Sequence, residues 1–325
     1  MADPAPLLSL CMIVRNEADR LPGCLRSVEG LVDEVVVVDT GSTDGTPEVA
    51  ARCGCRVFAH PWEDDFARAR NVGLEQACGE WILVLDADEV VSPEEGFDLR
   101  RELQESPTLD FGLVRLITPD HTGEREEVWA TRLFRRARGF RYRYPVHEQL
   151  TIRGAQGREL PVGVLHLGCL DEQHTRERQQ RYLELLESLP EDDPHRIVFT
   201  VRGLVALGRW REVEAWAERG LAALPADHSA LPRLLFQAAV AAFNCDERER
   251  TRRWIQQGLA RFPDHPDLQF VAMAHAAWLC RLNHAVTQDP GHPLFRQVGD
   301  SLRWLGAVEE LLERLGVRGA PATEA

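Results

Sequence analysis

Two carboxylates, Asp86 and Asp88, follow directly on the apolar run Trp81-Ile82-Leu83-Val84-Leu85, with Glu89 just behind them. In an open α/β sheet, ligands bind in the crevice beyond the carboxyl ends of the strands. On an extended segment, positions i and i+2 point the same way, so both acids could share one divalent cation while Ala87 faces opposite. Hard oxygen ligands of this kind suit Mg2+ or Mn2+, and the cation in turn holds a diphosphate. Two acids at a strand end are also an ordinary surface feature, so the reading depends on what accompanies them.

Three other segments accompany them. Val38-Asp39-Thr40-Gly41-Ser42-Thr43-Asp44-Gly45-Thr46 again follows a buried-looking strand. Asp39 there could accept a hydrogen bond from a base or a ribose, while Gly41 and Gly45 permit a tight turn and close ligand approach. Val14-Arg15-Asn16-Glu17 closes the first apolar strand, and Asp64-Asp65-Phe66-Ala67-Arg68-Ala69-Arg70-Asn71 opens a helix. Arg70 is a candidate phosphate partner, because the guanidinium fork matches phosphate oxygens. Singly, each segment also reads as a turn or a helix start.

Composition narrows the chemistry. The 325 residues carry a formal net charge of −14, which opposes a broad nucleic-acid footprint. It also means that an anionic substrate needs a cation or a few aimed arginines. Every one of the 38 basic residues is arginine. With no lysine, Schiff-base chemistry and a phosphate-loop lysine are excluded. The eight cysteines are scattered, without a CxxC pair, as in a reducing compartment. The amino terminus lacks the basic flank of a signal peptide, and no window approaches the ~18 apolar residues of a membrane span. A cytoplasmic protein is therefore expected, and contact with a membrane surface stays open.

The elements that must position these residues alternate in the first half. Leu7–Val14, Val35–Val38, Arg56–His60 and Trp81–Leu85 read as strands, and Glu17–Leu31 and Phe66–Cys78 as helices. Thr46 is expected to cap a helix with Pro47 at its first position. Ser92-Pro93-Glu94-Glu95 has the pattern of a capping box opening another helix. This is a Rossmann-like, mostly parallel, doubly wound α/β sheet. Phe111–Ile117, Val128–Arg135 and Val162–Leu167 then read as strands of a mixed sheet edge. Beyond about Asp171 the pattern is all-α. Gly220-Leu221-Ala222-Ala223-Leu224-Pro225 and Gly258-Leu259-Ala260-Arg261-Phe262-Pro263 repeat at an offset of 38 residues, 258 less 220, near the ~34 of a tetratricopeptide. The expected division is a catalytic domain over 1–170, a linking helix over 171–192, a helical-repeat domain over 193–315 with a closing helix at Leu302–Leu315, and a disordered tail over 316–325.

The ordered set CMIVRNE, VVVVDTGSTDGT, DDFARARN and WILVLDADE resembles family 2 glycosyltransferases of the GT-A fold. It is most similar to a bacterial branch with a carboxy-terminal tetratricopeptide region, which includes S-glycosyltransferases acting on the cysteines of glycopeptide bacteriocins. The resemblance covers roughly Leu8–Leu189 well and the helical tail more loosely. It implies an inverting enzyme that uses a nucleotide-sugar donor, by family habit a UDP-sugar, with Mg2+ or Mn2+. Glu17 and Asp39 would hold base and ribose, Asp65 and Arg70 would line the nucleotide pocket, Asp86 would lie near the ribose, and Asp88 would bind the metal. Tyr144-Pro145-Val146-His147-Glu148 matches the family's VHE segment, and Val164-Leu165-His166-Leu167-Gly168 its HxG segment. Glu148 is then the expected general base with His147 beside it, and His166 a third metal or diphosphate contact. Cys169 and Arg181-Tyr182 depart from the family's Tyr and Arg-Asn, which puts acceptor specificity in doubt. The acceptor is a peptide side chain or a cell-surface glycan or lipid precursor, and the helical tail binds that acceptor or a second subunit.

Two rivals remain. WILVLDADEVV also fits the hhhhDxDxV loop of haloacid-dehalogenase phosphatases, but that loop normally lies on a first strand and is completed by a downstream basic residue. A sugar nucleotidyltransferase would want a glycine-rich basic loop where VRNEADRL stands. A degenerate transferase acting as a non-catalytic scaffold through its helical repeats is the other class.

Overall fold

The computed structural model describes residues 5–119, 125–168 and 172–287, the side chains of 172–174 and 277–287 excepted. The expected closing helix at Leu302–Leu315 and the tail lie outside the described residues. The chain divides into two units, Met1–Ser188 and Leu189–Ala325.

In the first unit, β1 (Leu8–Val14), β2 (Glu34–Asp39), β3 (Arg56–Ala59) and β4 (Trp81–Val84) form the parallel part of the sheet, in the order β3-β2-β1-β4. Continuous apolar runs such as Val36-Val37-Val38 and Ile82-Leu83-Val84 suit this place, because parallel strands are covered on both faces. The covering helices are α1 (Leu21–Ser27), α2 (Thr46–Arg52) and α3 (Phe66–Gln76). The order reverses at β1: β2 lies on one side and β4 on the other. Register places Val14 opposite Asp39, and Cys11 opposite both Val36 and Val84. The carboxyl ends of β1, β2 and β4 therefore share one edge, at the switch point where such sheets bind ligands.

The rest of the sheet is mixed. After β5 (Glu89–Pro93) and α4 (Leu99–Glu105) come β6 (Phe111–Pro119), β7 (Arg125–Arg135), a small hairpin of β8 (Tyr142–Arg143) with β9 (Gln149–Leu150), and β10 (Gly157–His166). The full order is β3-β2-β1-β4-β7-β6-β10-β5, with β7 antiparallel to both β4 and β6 and β5 antiparallel to β10. Helix α5 (Glu172–Leu186) completes the unit.

Three local expectations need correction. Ser92-Pro93-Glu94-Glu95 opens no helix. Ser92 and Pro93 end β5, paired with Gly163 and Val162, and the next helix is capped by Asp98, whose side chain accepts from Arg101 N. Cross-strand pairing overrode the local capping pattern. Thr46 is the first residue of α2, and the cap is Gly45 at φ 83°, left-handed backbone that glycine adopts freely. Asp86–Asp88 is not extended either. Glu89 N donates to Asp86 O at 3.1 Å, so the chain turns there to send β5 alongside β10.

The second unit stacks α6 (Pro194–Ala206), α7 (Trp210–Ala223), α8 (Leu231–Asn244), α9 (Arg248–Arg261) and α10 (Pro266–Thr287). The repeat is real in three dimensions. A Cβ on Gly220 of α7 would come 2.7 Å from Leu234 of α8, and one on Gly258 of α9 2.7 Å from Leu268 of α10. Each glycine sits where a second helix meets the first helix of the next pair. Each also accepts the closing amide of its own helix, from Leu224 and Phe262. Trp254 fills the interior and donates through Nε1 to the buried Glu214 at 2.9 Å. The expected architecture, a GT-A-like sheet followed by an all-α repeat domain, is thus observed.

Candidate active site

Glu17, Asp86, Asp88, His147, Glu148, His166 and Arg70 converge on a cleft of about 360 Å3 at the carboxyl edge of β1 and β4. Residues 14–17 reach it through a loop that is laced to the loop after β2. Asn16 adopts left-handed backbone (φ 58°), its N–H donates to Ser42 Oγ, and its Oδ1 accepts from Thr43 N at 2.8 Å. Glu17 N donates to Thr46 Oγ1 at 2.8 Å, and Ala18 N to Asp44. Much of the DTGSTDGT segment is accordingly spent on holding Glu17 in place. Burial raises the Glu17 carboxyl above its ordinary range, with Arg20 opposing.

Asp39 and Asp65 stand differently from the others. Asp39 is buried, accepts from Gly41 N and Ser42 N at 3.1 Å, and does not line the cleft; Thr40 beside it does. Asp65 caps α3 by accepting from Arg68 N at 2.9 Å and likewise does not line it. Helix capping explains that acid at that position as well as a ligand would.

The centre of the site is an ion network. Arg70, buried on α3, donates from Nε to Glu148 Oε1 at 2.6 Å and from Nη2 to Asp86 Oδ1 at 2.8 Å. Arg132 of β7 donates to Glu89 at 2.5 Å and lies 3.6 Å from Asp86. Burial works to raise the Asp86 carboxyl, but Arg70 and Arg132 outweigh it and hold Asp86 well below the usual carboxylate range. Glu89 is the reverse: its burial outweighs Arg132, with Asp86 adding to the rise, and its carboxyl titrates above the ordinary value. Arg70 remains charged despite burial because Asp86 and Glu148 flank it. Its Nη1 is buried with no hydrogen-bond partner among the described residues. An orphaned buried donor costs about 1–3 kcal/mol, which a substrate oxygen would recover.

Asp88 and His166 form a second pair, with Nε2 3.3 Å from Oδ2. The hydrogen bond from His166 to the Asp88 carboxylate raises the His166 pKa against its burial. The backbone presses this pair together. Leu167 N donates to Asp88 O at 2.9 Å, and a Cβ on Gly168 would lie 1.7 Å from Asp88 Oδ2. Only glycine lets the chain just after β10 pass so close to that carboxylate. Among the described residues no group of three or more His, Cys, Asp or Glu converges as a cage. One carboxylate and one imidazole, open to the cleft, instead fit a cation whose remaining positions come from a diphosphate and water.

An aromatic wall closes the other side. Trp62 packs on Phe66 at 4.7 Å, Phe66 on Tyr182 at 6.2 Å, and Tyr182 on His147 at 5.1 Å between ring centroids. His147 and Tyr144 both have positive φ, 52° and 77°. Left-handed non-glycine backbone costs roughly 1–3 kcal/mol each. The YPVHE loop is therefore held by its surroundings, among them Phe66, whose N–H donates to Pro145 O at 2.8 Å.

Glu89, Arg132, Tyr142 and Trp62 belong to the site although sequence reasoning misses them. Glu89 adjoins the acid pair and Trp62 stands before DDFARARN, so both have a local signal. Arg132 and Tyr142 have none, because only strand pairing brings them to the site.

Residues 9–157 match the family model described as Glycosyl transferase family 2. A TPR repeat-containing protein of Synechococcus elongatus is 37% identical over 230 residues, 66% of this chain and 56% of that protein. The SPbeta prophage-derived glycosyltransferase SunS of Bacillus subtilis is 37% identical over 92 residues, 27% of this chain and 22% of SunS. The chain thus spans about half the length of the first relative and less of the second. Among solved structures, the mannosyltransferase PcManGT from Pyrobaculum calidifontis, in complex with GDP-Man and Mn2+, is similar over 95% of this chain and 87% of its own, at 18% identity and a TM-score of 0.45. No helix among the described residues is long and apolar enough to cross a membrane.

Proposed function

We propose that this chain, whose residues 9–157 form a family 2 glycosyltransferase domain, transfers a sugar from a nucleotide-sugar donor to an acceptor hydroxyl or thiol, with inversion. The observation that carries this reading is the Arg70–Glu148–Asp86 network beside the Asp88–His166 pair, on one cleft at the sheet's switch point. The nucleoside end of the donor lies toward Glu17 and Thr40. Asp88 and His166 would hold a Mg2+ or Mn2+ ion, which when bound neutralises charge on the leaving diphosphate.

Glu148 takes the acceptor proton. The freed oxygen or sulfur lone pair attacks the anomeric carbon, the carbon–oxygen bond to the diphosphate breaks, and its electron pair leaves with the phosphate oxygen. One in-line displacement inverts the centre. Arg70 aims Glu148 through the bond from Nε, and His147 shapes the loop that presents it. The acid pair lies after β4 rather than on a first strand, which disfavours the phosphatase alternative. The helical unit over 193–315 presents the acceptor or pairs two subunits. Removing it and comparing donor hydrolysis with transfer tells these from a separate role.

A screen of nucleotide sugars for hydrolysis and thermal stabilisation, with Mn2+, Mg2+ or EDTA, tests the proposal. Turnover of at least one donor that Asp88→Ala abolishes is expected. No binding of any donor would overturn it.

A further inference from the structure

A second cleft, of about 580 Å3, lies on the far side of the same network. Arg70, Asp86, His147 and Glu148 line both clefts, so they form a shared wall. If the first cleft takes the donor, a base on that wall faces the second cleft for its acceptor.

The walls of the second cleft describe the occupant. One side is the consecutive run Ala130, Thr131 and Arg132 of β7, and the other is Gln149, Leu150 and Ile152. Successive strand residues point to opposite faces, so three in a row can border one cleft only along the strand's edge. That edge is open. β6 pairs with β7 from Arg125 to Phe134, but β4 pairs only with Leu133–Arg135 before turning away at Asp86. The unpaired backbone of an edge strand is a template for another extended chain. The cleft's charges are already balanced, Arg70 against Glu148 and Asp86, and Arg132 against Glu89. Among the described residues no unmatched cation faces it to receive a phosphorylated acceptor. Its other lining residues are apolar or neutral.

We infer that the second cleft binds an uncharged, extended polypeptide segment, laid along the open edge of β7 so that one of its side chains reaches Glu148. This rests on the transferase reading for the role of Glu148. The main-chain pairing supplies affinity with little demand on sequence, and the pocket beside Glu148 selects the side chain.

Backbone hydrogen exchange read by NMR tests this without turnover. The probe is a pool of uncharged, unstructured peptides, each holding one Ser, Thr or Cys; a neutral oligosaccharide and a phosphorylated sugar serve as comparison. Alternate amides of Glu127–Thr131 point away from β6 and exchange fast in the free protein. The peptide pool should slow them at least about tenfold, with no such change from either comparison ligand. Ala130→Trp, or Gln149→Trp on the opposite wall, should remove that slowing in a protein that still unfolds cooperatively. Unchanged amides with peptide, slowing by the oligosaccharide alone, or peptide protection that survives both fillings would each overturn the inference. Donor hydrolysis in the same samples reports separately on the transferase reading.

Discussion

Arg70 holds Glu148 and Asp86 at once, 2.6 Å from one carboxylate and 2.8 Å from the other. This single guanidinium ties the loop that carries the proposed base to the turn that carries the acid pair. Two carboxylates in a part-buried site would otherwise repel each other. The arginine therefore acts on structure and on charge together.

Replacing Arg70 by Met should be costly on both counts. Breaking a buried pair by removing one partner costs roughly 3–5 kcal/mol. A urea titration should show that loss, and donor turnover should fall with it. Arg70→Lys restores the charge but not the fork, so it should recover stability more than turnover. Equal recovery of both would mean that the fork geometry has no part in catalysis.

Glu148→Gln should separate binding from chemistry. Removal of a general base typically lowers rate by roughly 10²–10⁴-fold. Donor affinity, read by calorimetry, should stay near that of the parent because the donor's nucleoside end lies toward Glu17. Transfer at the parent rate would take Glu148 out of the mechanism.

Gly168→Ala probes the proposed cation site from behind. A Cβ there would strike Asp88 Oδ2 at 1.7 Å, so the carboxylate must move away from His166. Disturbing the groups that orient a ligand commonly weakens metal affinity by roughly 10–100-fold. Mn2+ titration in the presence of a nucleoside diphosphate measures it. Parent affinity would place the cation elsewhere.

His275 sets a pH dependence in the helical unit. Burial, together with Arg252 and Arg248 nearby, pushes its pKa down to about 4 from the ordinary 6.5. A depressed base binds fewer protons folded than unfolded. Its contribution to stability is therefore unaffected above pH ~6.5 and is lost progressively as pH falls from there toward 4. A tenfold change in proton affinity is worth about 1.4 kcal/mol, so the loss reaches at most about 3 kcal/mol, and less where water screens the two arginines. His275→Phe should flatten that part of the pH–stability curve. A curve left unchanged would show that the acid sensitivity arises elsewhere.

The repeat predicts matched behaviour at two distant sites. Gly220→Ala and Gly258→Ala each push a methyl to 2.7 Å from a leucine of the next helix. Overpacking of this kind costs about 1–3 kcal/mol, against a helix-propensity gain of about 1 kcal/mol. Both should lose stability modestly, and shortening Leu234 or Leu268 should relieve its own partner only. A gain at either glycine would mean that the helices there are less tightly packed.

The sequence by itself determined the succession of the strands β1 to β4 along the chain, the placing of acids at their ends, and the change to an all-helical pattern beyond about residue 171. These are local properties: apolar runs of strand length, glycine at turns and a spacing of helical faces all lie within a few residues of one another. Tertiary structure decided the rest. Ser92–Glu95 carried a helix signal, yet its first residues joined β5, because they pair with Gly163 and Val162 of β10. Asp39 and Asp65 read as nucleotide contacts, and the folded chain shows backbone amides donating to both. The site's core joins Arg70 to Glu148 across 78 residues of chain and draws in Arg132 by antiparallel pairing. No local pattern encodes such a contact, since it depends on where a strand lands in the sheet rather than on what surrounds it in the chain.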